Sequence, residues 1–228
     1  MNNVKKERTQ AKYRISLNKK ILIVVLAVLL VAVSIVVYIY VSKNSMNMVT
    51  DKLTDSLGKS ISYVEKSTHL TALKSSKYEL VNSLQQDYSY ILQPTLTTSI
   101  CGKTFPTWSA YISMNSSKMI TKYTIYDFRI LSRNILGSKT GGKIDTSNLI
   151  GYSEDTLLEY LNIKPYIRQM VADGTKTLVF RYYYHDESTD DNVCIQVIAK
   201  LDGTNRVQDI NEVEVNMLYS IVNTIGTE

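Results

Sequence analysis

The sequence is poor in the residues that punctuate or cross-link a protein chain. It has three Pro, nine Gly and two Cys in 228 residues. So few Pro and Gly exclude a collagen-like or low-complexity chain, in which these residues dominate. Two Cys are too few for the class of small secreted domains held together by several disulfides. We therefore expect most of the chain to fold around a hydrophobic core.

Histidine is scarce as well, since His69 and His185 are the only two. His69 has no second His four residues along, which excludes the zinc-binding HExxH helix. The acidic stretch from His185 to Asp191 lacks the spacing and central Gly of a calcium-binding EF-hand loop, so we interpret it as a polar hairpin loop. The sequence has no GxSxG motif, and no thiol directly neighbours a histidine. We predict no catalytic residues, no metal site and no bound cofactor.

One long apolar segment is present, from Ile21 to Val41, and it contains no charged residue, Gly or Pro. As a helix these residues extend over roughly 31 Å at ~1.5 Å per residue, which matches a hydrocarbon core of about 30 Å. A cleaved signal peptide has a shorter apolar region of ~7–15 residues followed by small residues. We therefore predict a transmembrane helix at residues 21–41 that acts as an uncleaved signal-anchor.

Positive charge is concentrated before this segment. Residues 1–20 carry seven basic residues against Glu7, a net charge of +6, whereas the whole chain carries +5. The positive-inside rule places this basic tail in the cytoplasm and the residues after the helix outside it. The pI near 9.0 then reflects a tail beside anionic lipid rather than a nucleic-acid partner. We predict a single-pass protein of the cell membrane with a cytoplasmic N-terminus and an extracytoplasmic C-terminal domain.

A helix is predicted from Asn44 to Lys66, directly after the anchor, because apolar residues recur there at spacings of three and four. These residues are Met46, Val49, Leu53, Leu57, Ile61 and Val64. A second helix is predicted from Thr68 to Leu92, so that residues 42–93 form a membrane-proximal helical connector. The apolar stripe from Met46 to Val64 either packs on the chain's own domain or serves as a self-association face of the coiled-coil kind.

Strands are predicted in the remaining domain, residues 94–228, where apolar and polar residues alternate. The predicted strands are Thr107–Met114, Met119–Leu131, the hairpin Leu178–Leu201 and a third strand near Thr204–Ile210. In the hairpin, alternation directs Phe180 to the core and Arg181 to the opposite, outward face. Helices are predicted at Glu154–Asn162 with Ser153 as N-cap, at Pro165–Ala172, and from Val215 to Ile225. This pattern predicts an α+β fold in which antiparallel β-hairpins pack with helices.

The two cysteines, Cys101 and Cys194, both follow the anchor in sequence and so lie on the oxidising side of the predicted topology. They form one disulfide or remain two buried thiols, because the geometry that permits pairing is not visible in a sequence.

Two functions from different classes fit these features. In outline, a basic tail, one anchor, a helical connector and an external helix-plus-sheet domain resemble the single-pass components of bacterial secretion and conjugation machines. That resemblance implies a non-enzymatic structural or assembly component of the cell envelope, with an extracytoplasmic protein-binding domain and protein partners or a second copy of the chain. The alternative is a ligand-binding or sensory domain. It would signal through a partner, since a tail of about twenty residues is too short to fold as an output domain.

The predicted topology is tested by cysteine labelling in a Cys101→Ser, Cys194→Ser background. In intact cells, Asn3→Cys should resist a membrane-impermeant thiol reagent and Gly141→Cys should react with it, because the basic tail stays in the cytoplasm. The reverse labelling pattern would show that the orientation is wrong.

Overall fold

The computed structural model describes residues 2–74, 78–81, 84–100, 103–133 and 138–215. The chain divides into two units, Met1–Ser42 and Lys43–Glu228. The first unit is formed by helix α1, Asn2–Asn44. Within α1, the segment Ile21–Ser42 has a mean hydropathy of 3.3 and is long and apolar enough to cross a membrane. A signal sequence near an N-terminus shares these two properties, so the helix by itself assigns neither anchoring nor orientation.

The second unit begins with two short helices, α2 (Met46–Thr54) and α3 (Ile61–Thr68). Ser45 caps α2, and its hydroxyl accepts a hydrogen bond from the Met48 N–H at 3.4 Å. The connection to α3 turns at Gly58, which has φ +76° and whose N–H donates to the Ile120 carbonyl at 2.8 Å. Glycine adopts this left-handed conformation without the steric cost of a Cβ. The helical periodicity of residues 44–66 is thus divided between two helices.

Most of the second unit is β-structure, with two further short helices, α4 (Phe128–Arg133) and α5 (Glu154–Leu161). The described strands are β1 Leu73–Lys74, β2 Tyr78–Val81, β3 Leu84–Asp87, β4 Tyr90–Leu92, β5 Thr97–Ile100, β6 Lys103–Pro106, β7 Trp108–Met114, β8 Ile120–Asp127, β9 Ser138–Lys139, β10 Ile167–Val171, β11 Lys176–Asp186, β12 Asp191–Leu201 and β13 Val207–Glu214. The predicted α+β class is confirmed, with a large antiparallel sheet as its centre.

Nine strands form the main sheet, in the order β1-β4-β7-β8-β10-β11-β12-β13, while β9 pairs with β11. All pairs along this order are antiparallel, and only β9 runs parallel to its neighbour. β2–β3 and β5–β6 form separate hairpins. The sheet therefore joins two long hairpins, β7–β8 and β11–β12, through the short strand β10, which pairs with β8 and with β11.

Both faces of the sheet are covered. On one face, α2 and α3 pack over β7 and β8 around Trp108, Ile112 and Ile125, and α5 packs over β11 and β12 around Phe180 and Val197. The opposite face carries a second layer that includes the β5–β6 hairpin and the start of α4. Central strands are consequently buried on both sides, as the unbroken burial of β11 from Leu178 to Tyr182 illustrates.

Two predicted helices are wrong. Residues 68–92 contain no helix in their described part beyond the end of α3, where His69 takes φ 57°, and β4 pairs there with β7. Residues Pro165–Ala172 contain β10 rather than a helix. In both places a short apolar run fits either period, and pairing with neighbouring strands decides the outcome.

Other predictions are confirmed. Ser153 caps α5 by accepting a hydrogen bond from the Thr156 N–H at 3.2 Å. The hairpin Leu178–Leu201 is formed by β11 and β12 in the predicted register, and β13 follows as the third strand. The strand predicted over Met119–Leu131 ends at Asp127, where α4 begins. The predicted helix from Val215 to Ile225 lies outside the described residues after its first residue.

The predicted exposure of Arg181 is also wrong. Alternation does direct its side chain away from Phe180, but the sheet face that it reaches is covered, and Arg181 is 0 % exposed. A substitution there should therefore damage the domain instead of being mild. Removal of the buried guanidinium would leave the groups that accept its hydrogen bonds without a donor.

From the packing of the core we predict the outcome of a stability experiment on the full-length protein in detergent. Phe180→Ala should lower the free energy of unfolding by about 3–5 kcal/mol, because it leaves a cavity in a fully buried site. The exposed control Lys200→Ala should change it by less than about 0.5 kcal/mol. Fluorescence of Trp108, the one tryptophan of the chain and fully buried, reports unfolding in denaturant. Equal, small effects of both substitutions would contradict the observed register.

Candidate functional site

The predicted self-association stripe lies against the sheet of its own domain. Met46, Val49, Leu53 and Val64 are all buried in the cluster that includes Trp108. Leu57 and Ile61, the other members of the stripe, are partly buried against the same cluster. The stripe is therefore covered within the chain, which is the first of the two roles that its periodicity allowed.

Cys194 lies on β12 and is buried. Its sulfur accepts a hydrogen bond from Arg181 Nε at 3.3 Å. Burial raises the pKa of the Cys194 thiol, and the nearby Arg181 charge opposes this effect without overcoming it. Cys101 lies outside the described residues, so the disulfide between the two stays a prediction.

The acidic stretch after His185 forms the loop between β11 and β12, as predicted. Asp186 Oδ1 accepts hydrogen bonds from the Ser188 hydroxyl at 2.6 Å and from its N–H at 2.9 Å. These bonds lower the pKa of Asp186. In the part of the chain that the structure describes, no group of three or more His, Cys, Asp or Glu side chains is arranged to hold a metal ion. The loop's carboxylates are thus used in its own turn.

A cleft of about 650 Å³ lies in the second unit, and sequence reasoning missed it. Its volume lies within the ~300–1,000 Å³ typical of small-molecule sites. The lining residues come from α2, α4, α5, β8, β10 and the segment between α5 and β10. They are Met46, Asn47, Asp127, Arg129, Ile130, Leu158, Asn162, Ile163, Lys164, Pro165 and Arg168.

The cleft exists because the helices on this face of the sheet leave a gap over β10. α2 and α3 cover the β7–β8 side, and α5 covers the β11–β12 side. Between them, Arg168 of β10 stands opposite Ile125 of β8 and Leu178 of β11. Its side chain is 34 % exposed, so a guanidinium occupies a position where the neighbouring strands carry buried apolar residues.

One ion pair lies at the edge of the cleft, between Asp127 and Arg129. Arg129 Nε donates to Asp127 Oδ1 at 2.8 Å and Nη2 donates to Oδ2 at 2.7 Å. The same Oδ1 accepts the Arg129 N–H at 3.1 Å, in the first turn of α4. The hydrogen bond to Asp127 raises the pKa of Arg129. Such a two-point contact fixes both side chains, and the two charges offset each other.

A second ionic group involves Glu154, the first residue of α5. Lys176 Nζ donates to Glu154 Oε2 at 2.6 Å, whereas Arg168 Nη1 is 3.4 Å from Oε1. The shorter contact makes Lys176 the main partner of the carboxylate. Glu154 is the one ion-pair partner of Arg168 among the described residues, so most of the donors of this guanidinium remain available to the cleft.

The charges of the cleft therefore do not cancel. Asp127 is offset by Arg129 and Glu154 by Lys176, which leaves Arg168 and Lys164 in excess. Lys164 is exposed and makes no ion pair within the described ranges of the chain. An apolar wall faces these cations, and its members are Met46, Ile130, Leu158, Ile163 and Pro165. The arrangement combines positive charge with apolar surface.

Hydrogen bonds hold the helix that forms one wall. The Trp108 indole N–H donates to the Asn44 carbonyl at 3.0 Å, and the Leu96 N–H donates to Asn44 Oδ1 at 3.3 Å. At the other end of α2, the hydroxyls of Thr54 and Tyr123 are 2.6 Å apart. Burial raises the pKa of the Tyr123 hydroxyl despite this hydrogen bond. Asn44, just before the Ser45 cap of α2, and Thr54 at the end of α2 are thereby attached to β7 and β8.

The sequence alone does not mark the residues of the cleft. Its residues come from three separate stretches of the chain, and Arg168 fell within a segment predicted as helix. The one local signal is the run Ile163–Arg168, where Lys164 and Arg168 flank three buried residues.

Comparisons of this chain with protein-family models, with curated proteins and with solved structures gave no match.

The environment of Cys194 predicts its reactivity. In a Cys101→Ser variant of the folded protein at pH 8, Cys194 should react with a thiol reagent much more slowly than in denaturant, because burial both shields the sulfur and raises its pKa. On wild-type protein, denatured without reductant, a count of two thiols would exclude the disulfide. Rapid labelling of the folded variant would contradict the buried position.

Proposed function

We propose that this chain is a single-pass membrane protein whose domain, from Lys43 onward, lies outside the cytoplasm and binds a ligand in the cleft beside α2. The observation that carries the proposal is the position of the cleft. Its wall includes Met46 and Asn47, the first two residues of α2, and α2 begins two residues after the end of α1 at Asn44.

The topology of this proposal rests on two observations. The segment Ile21–Ser42 is long and apolar enough to span a membrane, and the basic tail before it carries a net charge of +6. Together they favour a cytoplasmic N-terminus and an extracytoplasmic domain. In this role, a ligand bound in the cleft would be sensed by a partner protein in the membrane or envelope.

A second candidate function is the structural or assembly component of an envelope machine. The observation that favours it is an exposed aromatic and apolar group at the outer side of α5. Ile150 is 56 % and Tyr160 46 % exposed, and the rings of Tyr152 and Tyr160 meet edge to face with centroids 6.1 Å apart. Aromatic residues of this kind are enriched at protein interfaces. In this role the domain would bind a protein through that surface, and the cleft would be incidental.

Spin labelling beside the cleft tests the first proposal. Asn47→Cys, exposed at the cleft wall, is labelled in a Cys101→Ser, Cys194→Ser background of the full-length protein in nanodiscs. The low-molecular-mass fraction of an extract from cells that make the protein should slow the motion of the label, because a ligand fills the space beside it. A label at Asn211→Cys, exposed on β13, should not respond.

Filling the cleft provides the matched control. Leu158→Trp adds bulk to the apolar wall and should abolish the response at Asn47→Cys. If the label never responds, while Tyr160→Ser reduces the size of the solubilised complex or removes a co-purifying protein, the ligand-binding proposal fails and the assembly role replaces it.

A further inference from the structure

We infer that the cleft selects a small organic acid, with Arg168 and Lys164 pairing its carboxylate and the apolar wall of α2 and α5 covering its hydrocarbon body. This inference deepens the proposed function and rests on it, since it names the class of ligand for the same site.

The arrangement of the ionic groups in the cleft indicates that its ligand carries a negative charge. Each carboxylate of the site already has a short contact to a cation: Asp127 to Arg129 at 2.7 Å and Glu154 to Lys176 at 2.6 Å. Arg168 holds only the longer 3.4 Å contact to Glu154. A ligand anion can thus approach Arg168 without separating either of the short pairs.

The partial charges at the helix ends do not reverse the positive charge of the cleft. The positive end of α2 lies at the cleft with Met46 and Asn47, and the negative end of α5 lies there with Leu158 and Asn162. These partial charges are of similar size and opposite sign. One carbonyl at the end of α5 is also occupied, because Leu158 accepts the Asn162 N–H at 3.0 Å. The side-chain cations therefore decide the potential.

Arginine favours a planar anion here. Its guanidinium presents donors in a rigid fork that matches the two oxygens of a carboxylate. Arg168 is positioned for such a contact because its backbone is fixed on both sides by strand pairing with β8 and β11. A side chain that projects from a central strand varies little in position, which pre-organises the donor.

The apolar wall of the cleft indicates that the ligand has a hydrocarbon part as well as a negative charge. Ile163 and Pro165 are buried and line the cleft beside Lys164, while Met46 and Leu158 form its sides. Inorganic phosphate would leave this wall in water, whereas an organic acid would cover it and gain from the burial of apolar surface. A hydrocarbon body of about five to ten carbons suits a site of this size.

The test measures binding of defined probes to full-length protein in nanodiscs by saturation-transfer NMR, with empty nanodiscs as blank. The observed probes are 3-phenylpropanoate, 4-methylpentanoate and the neutral 3-phenylpropanamide. Inorganic phosphate has no carbon-bound proton to observe, so its binding is measured as competition against the signal of the acids. At least one of the two acids should bind with a dissociation constant of about 1 mM or tighter. The amide and phosphate should each bind at least about tenfold more weakly, since each lacks one half of the recognised structure.

Matched arginine variants assign the contact. Arg168→Gln should weaken binding of the acid about tenfold to a hundredfold, and should leave the weak binding of the amide unchanged. Arg206→Gln removes an exposed arginine, whose Nη1 donates to the Gly151 carbonyl, and should have no effect. Should Arg168→Gln fail to fold by Trp108 fluorescence, Lys164→Gln, at an exposed site, replaces it with a smaller expected loss.

Each other outcome overturns the inference. Equal binding of acid and amide, or of acid and phosphate, contradicts the selection of an organic acid but leaves the cleft as a ligand site. No binding of either acid, with the label at Asn47→Cys still responding to the extract, refutes the ligand class alone. No binding and no response remove the proposed function as well.

Discussion

The pairing of β10 with β8 and β11 is the interaction on which the rest of the domain depends. Isolated two-stranded hairpins are marginal in water, and β10 joins β7–β8 and β11–β12 into one sheet. Helices then cover each hairpin separately, α2 and α3 on one side and α5 on the other. β10 has only five residues and lies between the two groups of covering helices. The gap above β10 is the cleft.

Burial on both faces accounts for part of the tyrosine content of the chain, which has 17 Tyr against three Phe. Strands buried on both sides bring polar groups into the interior, and these require partners. Tyrosine supplies an apolar ring together with a hydroxyl. The Tyr166 hydroxyl donates to Gln196 Oε1 at 2.6 Å, while Tyr111 packs edge to face on Tyr88 and Tyr126 with centroids 4.9 and 5.1 Å away. Six Tyr side chains of the described residues are buried in the core in this way: Tyr88, Tyr111, Tyr123, Tyr126, Tyr166 and Tyr182.

The outcome of the sequence predictions follows the range of the interactions behind them. Local signals succeeded: the cap of α5 by Ser153, and the alternation that placed Phe180 inward. Predictions failed where pairing with a distant segment decides the secondary structure. The apolar residues of β10 fit a helix as well as a strand, and pairing with β8 makes the segment a strand. Arg181 failed for a related reason, since alternation gives the face of a side chain but not what covers that face. The cleft was invisible because its lining combines three stretches that are far apart in sequence, around residues 46, 128 and 163.

The attachment of α2 limits how strongly any ligand of the cleft can act on it. The residue that precedes its cap is held by the contact of Trp108 with Asn44, and its last residue by that of Tyr123 with Thr54. Each hydrogen bond contributes a net of about 1 kcal/mol. A ligand shifts a conformational equilibrium only by the difference between its affinities for the two states. A tenfold difference corresponds to about 1.4 kcal/mol, enough to offset the loss of about one such bond. The buried side chains of Val49 and Leu53 also hold α2 on the sheet, so a small ligand at Met46 and Asn47 would leave α2 attached to it.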